Sequence, residues 1–229
     1  MYDTLRRKKF QGNFIEFGGG FSTIMASTFL RIPNSAITSV DFNPSKYHRI
    51  LNSTQSSKGF LSRINCQPEI TVSLEQVDTC LGEILQALEE FDTNRVTEAL
   101  KFYGYEGDFD PYQIQTAFKQ HPAFAIEEGF YEQFSAISGR RLCSSLVESE
   151  QTFEAYFFDC GEISSIAEFW LLLPMMRRGD YVLLHDIIYP KSIKNFLVAT
   201  YINVCNDWEI LYLDKSTPQG GLVARKISK

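Results

Sequence analysis

The residues best suited to chemistry begin at Glu16-Phe17-Gly18-Gly19-Gly20-Phe21-Ser22-Thr23, where an acid, three glycines and two hydroxyls join an apolar run to a helical pattern. Glycines at such a junction let the backbone approach a ligand closely, and the following helix start offers unpaired N–H donors to a carboxylate. Asp41 stands 21 positions beyond Gly20, at the end of a second β-branched run. An acid there accepts hydrogen bonds from both ribose hydroxyls in doubly wound folds. The two signals together imply a nucleotide or a nucleotide analogue. A dinucleotide fingerprint wants glycine where Thr23 stands, and no Gly-Lys-Ser/Thr follows to make a Walker loop.

A second group lies in the last third. Asp159, followed by Cys160, Gly161 and Glu162, ends one apolar run, and His185 and Asp186 end another. A histidine at a strand end can take a proton from a substrate hydroxyl. Two plainer roles stay open: Asp159 as the N-cap of the next helix, and His185 hydrogen-bonded within its own loop. Asp108 and Asp110 in EGDFDP have the look of a cation pair, but Asp and Gly before Pro are also what a turn requires, and the turn is preferred. His121, Glu127 and Glu128 read as exposed polar residues, and the run Arg6 to Lys9 as a solvated face.

Those positions require a scaffold that brings strand ends together. NFIEF at 13–17 reads as a strand, then a tight turn and the helical IMASTFL. AITSVDF repeats the pattern, with Asn43 and Pro44 as N-cap and first helical residue. Glu154 to Asp159 reads as a buried strand, Ile163 to Met176 as a helix, Tyr181 to His185 as a strand and Lys191 to Val204 as a helix. Trp208 to Leu213 and Leu222 to Ile227 read as two strands joined by KSTPQGG, an antiparallel return. Strands alternating with helices predict an α/β, Rossmann-like doubly wound sheet, mostly parallel, with helices on both faces. Residues 76–150 break the rhythm and read as a mainly helical insert within a single domain spanning 1–229. Ten aromatic residues fall between 101 and 134, with six acids against two lysines. They supply either the insert's private core or the lining of a pocket over the sheet edge.

Composition removes several classes of function. The chain's 22 basic and 28 acidic residues leave a net charge of −6, which disfavours a nucleic-acid partner because phosphate contacts need clustered Lys and Arg. Five cysteines lack any CxxC spacing, which argues against a disulfide framework or a zinc site and suits a reducing cytoplasm. No targeting segment or membrane span is expected, since the longest apolar run, Phe169 to Met176, falls far short of a bilayer.

With these motifs in view, the sequence resembles the class I S-adenosylmethionine-dependent methyltransferases. EFGGGFST is similar to their first motif and VDFNP to their second. AYFFDCGEISSIAEFWLLLPMMRRGDYVLLHD is similar to their fourth strand, helix and fifth strand, and WEILYLDK with LVARKI to their terminal hairpin. The likeness covers about two-thirds of the chain and leaves out the insert. It implies a seven-stranded sheet and S-adenosylmethionine as cofactor. Glu16, Gly18, Gly19 and Gly20 would cradle its methionine part, with Ser22 as a donor, Asp41 as the ribose clamp and Phe42 flanking the adenine. Ser145, in CSSL, is the implied adenine contact, with ITVSLEQ at 70–76 as a rival segment. Asp159 would face the sulfonium and His185 would act as base. Asp159 and Asp186 would hold a divalent cation such as magnesium, with Glu162 as a further ligand. The expected function is methyl transfer to an oxygen, or a nitrogen, of a small molecule. The insert would serve as the cap, and self-association as a homodimer is left open. The rivals are a catalytically inactive binding or interaction protein on the same fold, and a nicotinamide-linked oxidoreductase.

Overall fold

The computed structural model describes residues 1–20, 22, 23, 25, 26, 37–41, 64–67, 71–134 and 141–228. The expected helix after Asn43, most of IMASTFL and the adenine-flanking Phe42 lie outside the described residues. Seven strands form one sheet: β1 Phe14–Phe17, β2 Ile37–Val40, β3 Ile64–Gln67, β4 Ala155–Phe158, β5 Tyr181–His185, β6 Trp208–Asp214 and β7 Gly221–Lys226. Their order is β3-β2-β1-β4-β5-β7-β6. The first five run parallel, while β7 runs antiparallel to both β5 and β6. The sheet is therefore doubly wound with a terminal hairpin, as expected.

Strand alternation divides the core. Ile15, Phe17, Val40, Tyr156, Phe158, Val182 and Leu184 face one hydrophobic cluster, and Phe14, Ile37, Ala155, Phe157 and Leu183 face the other. This period of two follows from the pleat. Phe17 and Phe158 stack at 5.3 Å between ring centroids and tie β1 to β4. Burial of each such side chain contributes about 2–3 kcal/mol. On the second face lies α1, Tyr2–Arg7, whose Leu5 is buried and whose Arg6 and Arg7 pair with Asp3.

The other helices are α2 Leu74–Glu89, α3 Thr93–Phe102, α4 Pro111–Gln120, α5 Pro122–Phe134, α6 Leu142–Glu148, α7 Ser164–Leu172 and α8 Phe196–Val204. The first five of these lie between β3 and β4. Packing splits them: α2 runs along α7 and α3 along α8, so both join the layer covering the sheet. Ser73 and Gln76 form a capping box at the start of α2. Asp110 caps α4 through the N–H groups of Tyr112 and Gln113, and Asp108 pairs with Lys101, in keeping with the turn reading of EGDFDP. Cys80, Cys143, Cys160 and Cys205 are free. No described helix is long and apolar enough to cross a membrane.

Two boundaries differ from expectation. The helix from Ile163 turns into a 3-10 segment, Leu173–Met175, where Pro174 has no N–H to continue the ladder. The helix expected from Lys191 begins only at Phe196. Residues 191–195 form a loop because their polar groups bond elsewhere: Ser192 Oγ and Ile193 N–H donate to Glu162, and Asn195 N–H donates to the Asp186 carbonyl.

Candidate active site

The strand order reverses between β1 and β4, and in open α/β sheets the crevice beyond such strand ends is where ligands bind. Gly18, Asp41, Asp159 and Asp186 each stand just past the carboxyl end of a parallel strand, and His185 closes β5.

At the end of β1 the chain turns at Gly18, whose φ of +97° belongs to the left-handed half of conformational space. Its N–H donates to the Val40 carbonyl at 2.7 Å, and a β-carbon there would overlap the Asp159 carbonyl. At Gly20, by contrast, no atom of the described residues lies within 4 Å of where a β-carbon would stand. Glu16 is fully buried, and its Oε2 accepts hydrogen bonds from Thr23 Oγ1 and from Ser39 Oγ. Thr23 Oγ1 in turn accepts the Gly20 N–H at 3.0 Å. Glu16 thus holds the bend through Thr23. Ser22, expected as a ligand donor, stands in the helical turn that follows the bend. Burial pushes the Glu16 carboxyl up to about 7, against these hydrogen bonds.

Asp41, 1% exposed, borders a cavity of about 420 Å³. Cys160, Gly161 and Glu162, after β4, form one wall, and Ala123, Ile126, Glu127 and Phe130 of α5 form the other. The volume lies in the range of small-molecule sites. Sequence reasoning missed Glu127, which is drawn inward rather than exposed. Its Oε2 accepts the Ile163 N–H at 2.9 Å and its Oε1 the Ser164 N–H at 3.4 Å. A carboxylate at the start of α7 answers that helix's unpaired donors. Burial raises its pKa, and the backbone hydrogen bonds pull the other way. Positions 123, 126, 127 and 130 fall on one helical face, a spacing that could have revealed the lining.

Ser145 lies within α6, its N–H bonded to Arg141, and is not among the residues lining the cavity. Ser73 of the rival segment caps α2, and Thr71 donates to the buried Glu168.

Beyond β4 and β5, four side chains converge. His185 Nδ1 lies 3.2 Å from Asp159 Oδ1 and 3.3 Å from Asp186 Oδ1, the second contact lacking a hydrogen bond's direction. Lys194 Nζ, on the loop before α8, lies 2.8 Å from Asp186 Oδ2 and 3.2 Å from Asp159 Oδ1. Asp186 adopts a φ of +59°, a strained value that Asp tolerates better than most residues. Asn195 Nδ2 donates to the carbonyls of Phe158 and His185, clamping the two strand ends. The Asp159 and Asp186 carboxylates beside the ring raise His185 to about 9 despite burial. Burial would raise Asp186, but His185 and Lys194 hold it at about 2. Burial opposes the Lys194 charge, yet Asp159 and Asp186 lift its pKa above the usual value. Two acids and two basic side chains thus meet beyond the ends of β4 and β5.

Asp159, His185 and Asp186 could each offer an atom to a metal ion, as the resemblance implies for the two acids. Lys194 stands against that use. A divalent ion on these oxygens would lie about 4 Å from the ammonium, a repulsion of roughly 8 kcal/mol at an effective dielectric constant of 20. Glu162, expected as a further ligand, instead accepts hydrogen bonds from Ser192 and Ile193 and latches the Lys194 loop. The residues present do not fit a divalent cation while Lys194 is in place.

No protein-family model and no curated protein matches the sequence. Among solved structures, the chain is similar to the O-methyltransferase TomG from Streptomyces achromogenes, involved in tomaymycin synthesis and solved in complex with SAM. The TM-score is 0.51 at 10% identity, over 99% of this chain and 78% of that one. It is also similar to the O-methyltransferase from Bacillus cereus in complex with SAH (TM-score 0.49, 10% identity, 98% and 78% covered). A methyltransferase from Geobacter sulfurreducens is a third (TM-score 0.49, 11% identity, 99% and 76% covered). At such low identity the likeness to TomG shows the fold alone: this chain shares the Rossmann-like, doubly wound fold of that methyltransferase.

Proposed function

We propose that the protein is an S-adenosylmethionine-dependent methyltransferase that methylates an oxygen, or a nitrogen, of a small molecule. The observation that carries this reading is Asp41, placed past β2 on the wall of a ligand-sized cavity, one strand from the Gly18 bend. Asp41 would hold the ribose, the Gly18–Gly20 bend the methionine part, and Phe130 and Ile126 the apolar face of the adenine. S-adenosylmethionine, when bound, supplies an electrophilic methyl group: the acceptor's oxygen–carbon bond forms as the sulfur–carbon bond breaks, and S-adenosylhomocysteine departs.

The chain's own contribution is alignment, exclusion of water and one proton transfer. Helix α5 serves as the cap that shields the cavity, the role expected of the insert. His185 in its neutral form takes the acceptor's proton. Asp159 and Asp186 stabilise the imidazolium that results, as a carboxylate does for histidine in a catalytic triad. The insert's acidic excess, six acids against two lysines between 101 and 134, suits a neutral or cationic acceptor better than an anion. A crystal soak with S-adenosylhomocysteine tests the placement. Density against Asp41 and α5 supports it, whereas density elsewhere, or none at saturating ligand, removes it.

A further inference from the structure

We propose that Lys194 is the site's resident cation, holding Asp159 and Asp186 in the arrangement that a divalent ion would otherwise impose, so that the chemistry at this strand edge runs without metal. Lys194 is a positioning residue, since it acts through the two carboxylates. The metal-free methyl transfer this entails rests on the proposed function, whereas the occupancy of the carboxylate pair by lysine does not.

The loop that carries Lys194 is built to deliver the ammonium. Glu162, from the turn after β4, accepts hydrogen bonds from Ser192 Oγ at 2.7 Å and Ile193 N–H at 3.1 Å. Ser192 Oγ also accepts the Lys194 N–H at 3.1 Å. On the other side Asn195 Nδ2 bonds the carbonyls of Phe158 and His185, the last residues of β4 and β5. Lys194 is thereby latched between two anchored neighbours. Its side chain is 8% exposed, with Nζ in contact with one oxygen of each acid. A long, flexible side chain would not be buried and pinned in this way merely to sit at a surface ion pair, where water and rotamer entropy compete. The ammonium gives charge neutralisation and fixes the two carboxylates, the two services a bound divalent ion would render, but it leaves no open coordination position for an acceptor oxygen.

The test is a Mn2+ titration followed by electron paramagnetic resonance on the full chain, without methyl donor or acceptor. It can therefore succeed or fail independently of S-adenosylhomocysteine binding. Wild type is expected to leave the free Mn2+ signal undiminished, and Lys194→Arg to do the same. Lys194→Ala and Lys194→Met leave the carboxylate pair with one cation fewer and are expected to bind Mn2+ at least about tenfold more tightly than wild type. Adding Asp186→Asn to either variant should abolish that gain. The proposal is overturned if wild type itself binds Mn2+ and loses it on Asp186→Asn, or if folded Lys194→Ala and Lys194→Met gain no affinity. Because the wild-type arm is decisive alone, a variant that fails to fold does not rescue the idea.

Discussion

A β-carbon on Gly18 would overlap the carbonyl oxygen of Asp159, so the bend after β1 and the strand end that carries the acid are in backbone contact. The bend after β1 and the acid cluster are therefore tied to each other through the backbone. Gly18→Ala must both enter the left-handed region and push Asp159 away, which should destabilise the fold by about 2–4 kcal/mol. Urea denaturation checks this, and a midpoint equal to wild type would mean that the bend tolerates a side chain.

Asp41→Ala is expected to weaken S-adenosylhomocysteine binding by about 1.5–3 kcal/mol, the scale of hydrogen bonds to a charged acceptor. Calorimetry on a variant with wild-type circular dichroism reads the effect. An unchanged Kd would remove Asp41 from the ribose.

The parallel sheet was legible because buried strands ending in Gly, Asp or His-Asp repeat along the chain. Asp41, Asp159 and His185 could be placed at strand ends from their position in those runs alone. What escaped were contacts set by tertiary packing. Glu127 lies on a helix whose inward face depends on where α5 docks, and nothing near it in sequence announces the α7 donors it meets. Lys194 sits in a stretch that reads as the start of a helix. Only the bonds made by Glu162 and Asn195 to the loop and strand ends show why it stays extended toward the acids.

His185 should titrate near 9 because Asp159 and Asp186 favour its charged form. Its folded pKa is raised, so its stabilising contribution is complete below the ordinary value of 6.5 and is lost as pH climbs through about 9. The partly exposed ring limits the contribution to about 1 kcal/mol after solvent screening. The chain has only three histidines, so an NMR titration can follow this one, with His185→Gln as the assignment control. A midpoint near 6.5 would show that the acid contacts do not act on the ring. If His185 is the base, the methyl-transfer rate should rise about tenfold per pH unit from 7 towards 9.

Glu168, on α7, is fully buried and accepts a hydrogen bond from Thr71. Burial raises its carboxyl to about 8. The fold thus prefers its protonated form, and stability should fall as pH rises from about 4.5 through 8. Glu168→Gln keeps the acceptor for Thr71 and removes the ionisation. It should be more stable than wild type at pH 9 by about 1–3 kcal/mol, with the difference vanishing at pH 5. Thermal melts at both pH values check this, and equal losses in the two proteins would place the alkaline sensitivity elsewhere.

The central claim is that the cavity between Asp41 and α5 holds the methyl donor. Isothermal titration calorimetry of wild-type protein with S-adenosylmethionine and S-adenosylhomocysteine addresses it directly. One site per chain for both ligands is expected, weakened by Asp41→Ala and unaffected by chelator. Absence of binding heat with both ligands over a range of temperatures, from protein shown to be folded, would contradict it.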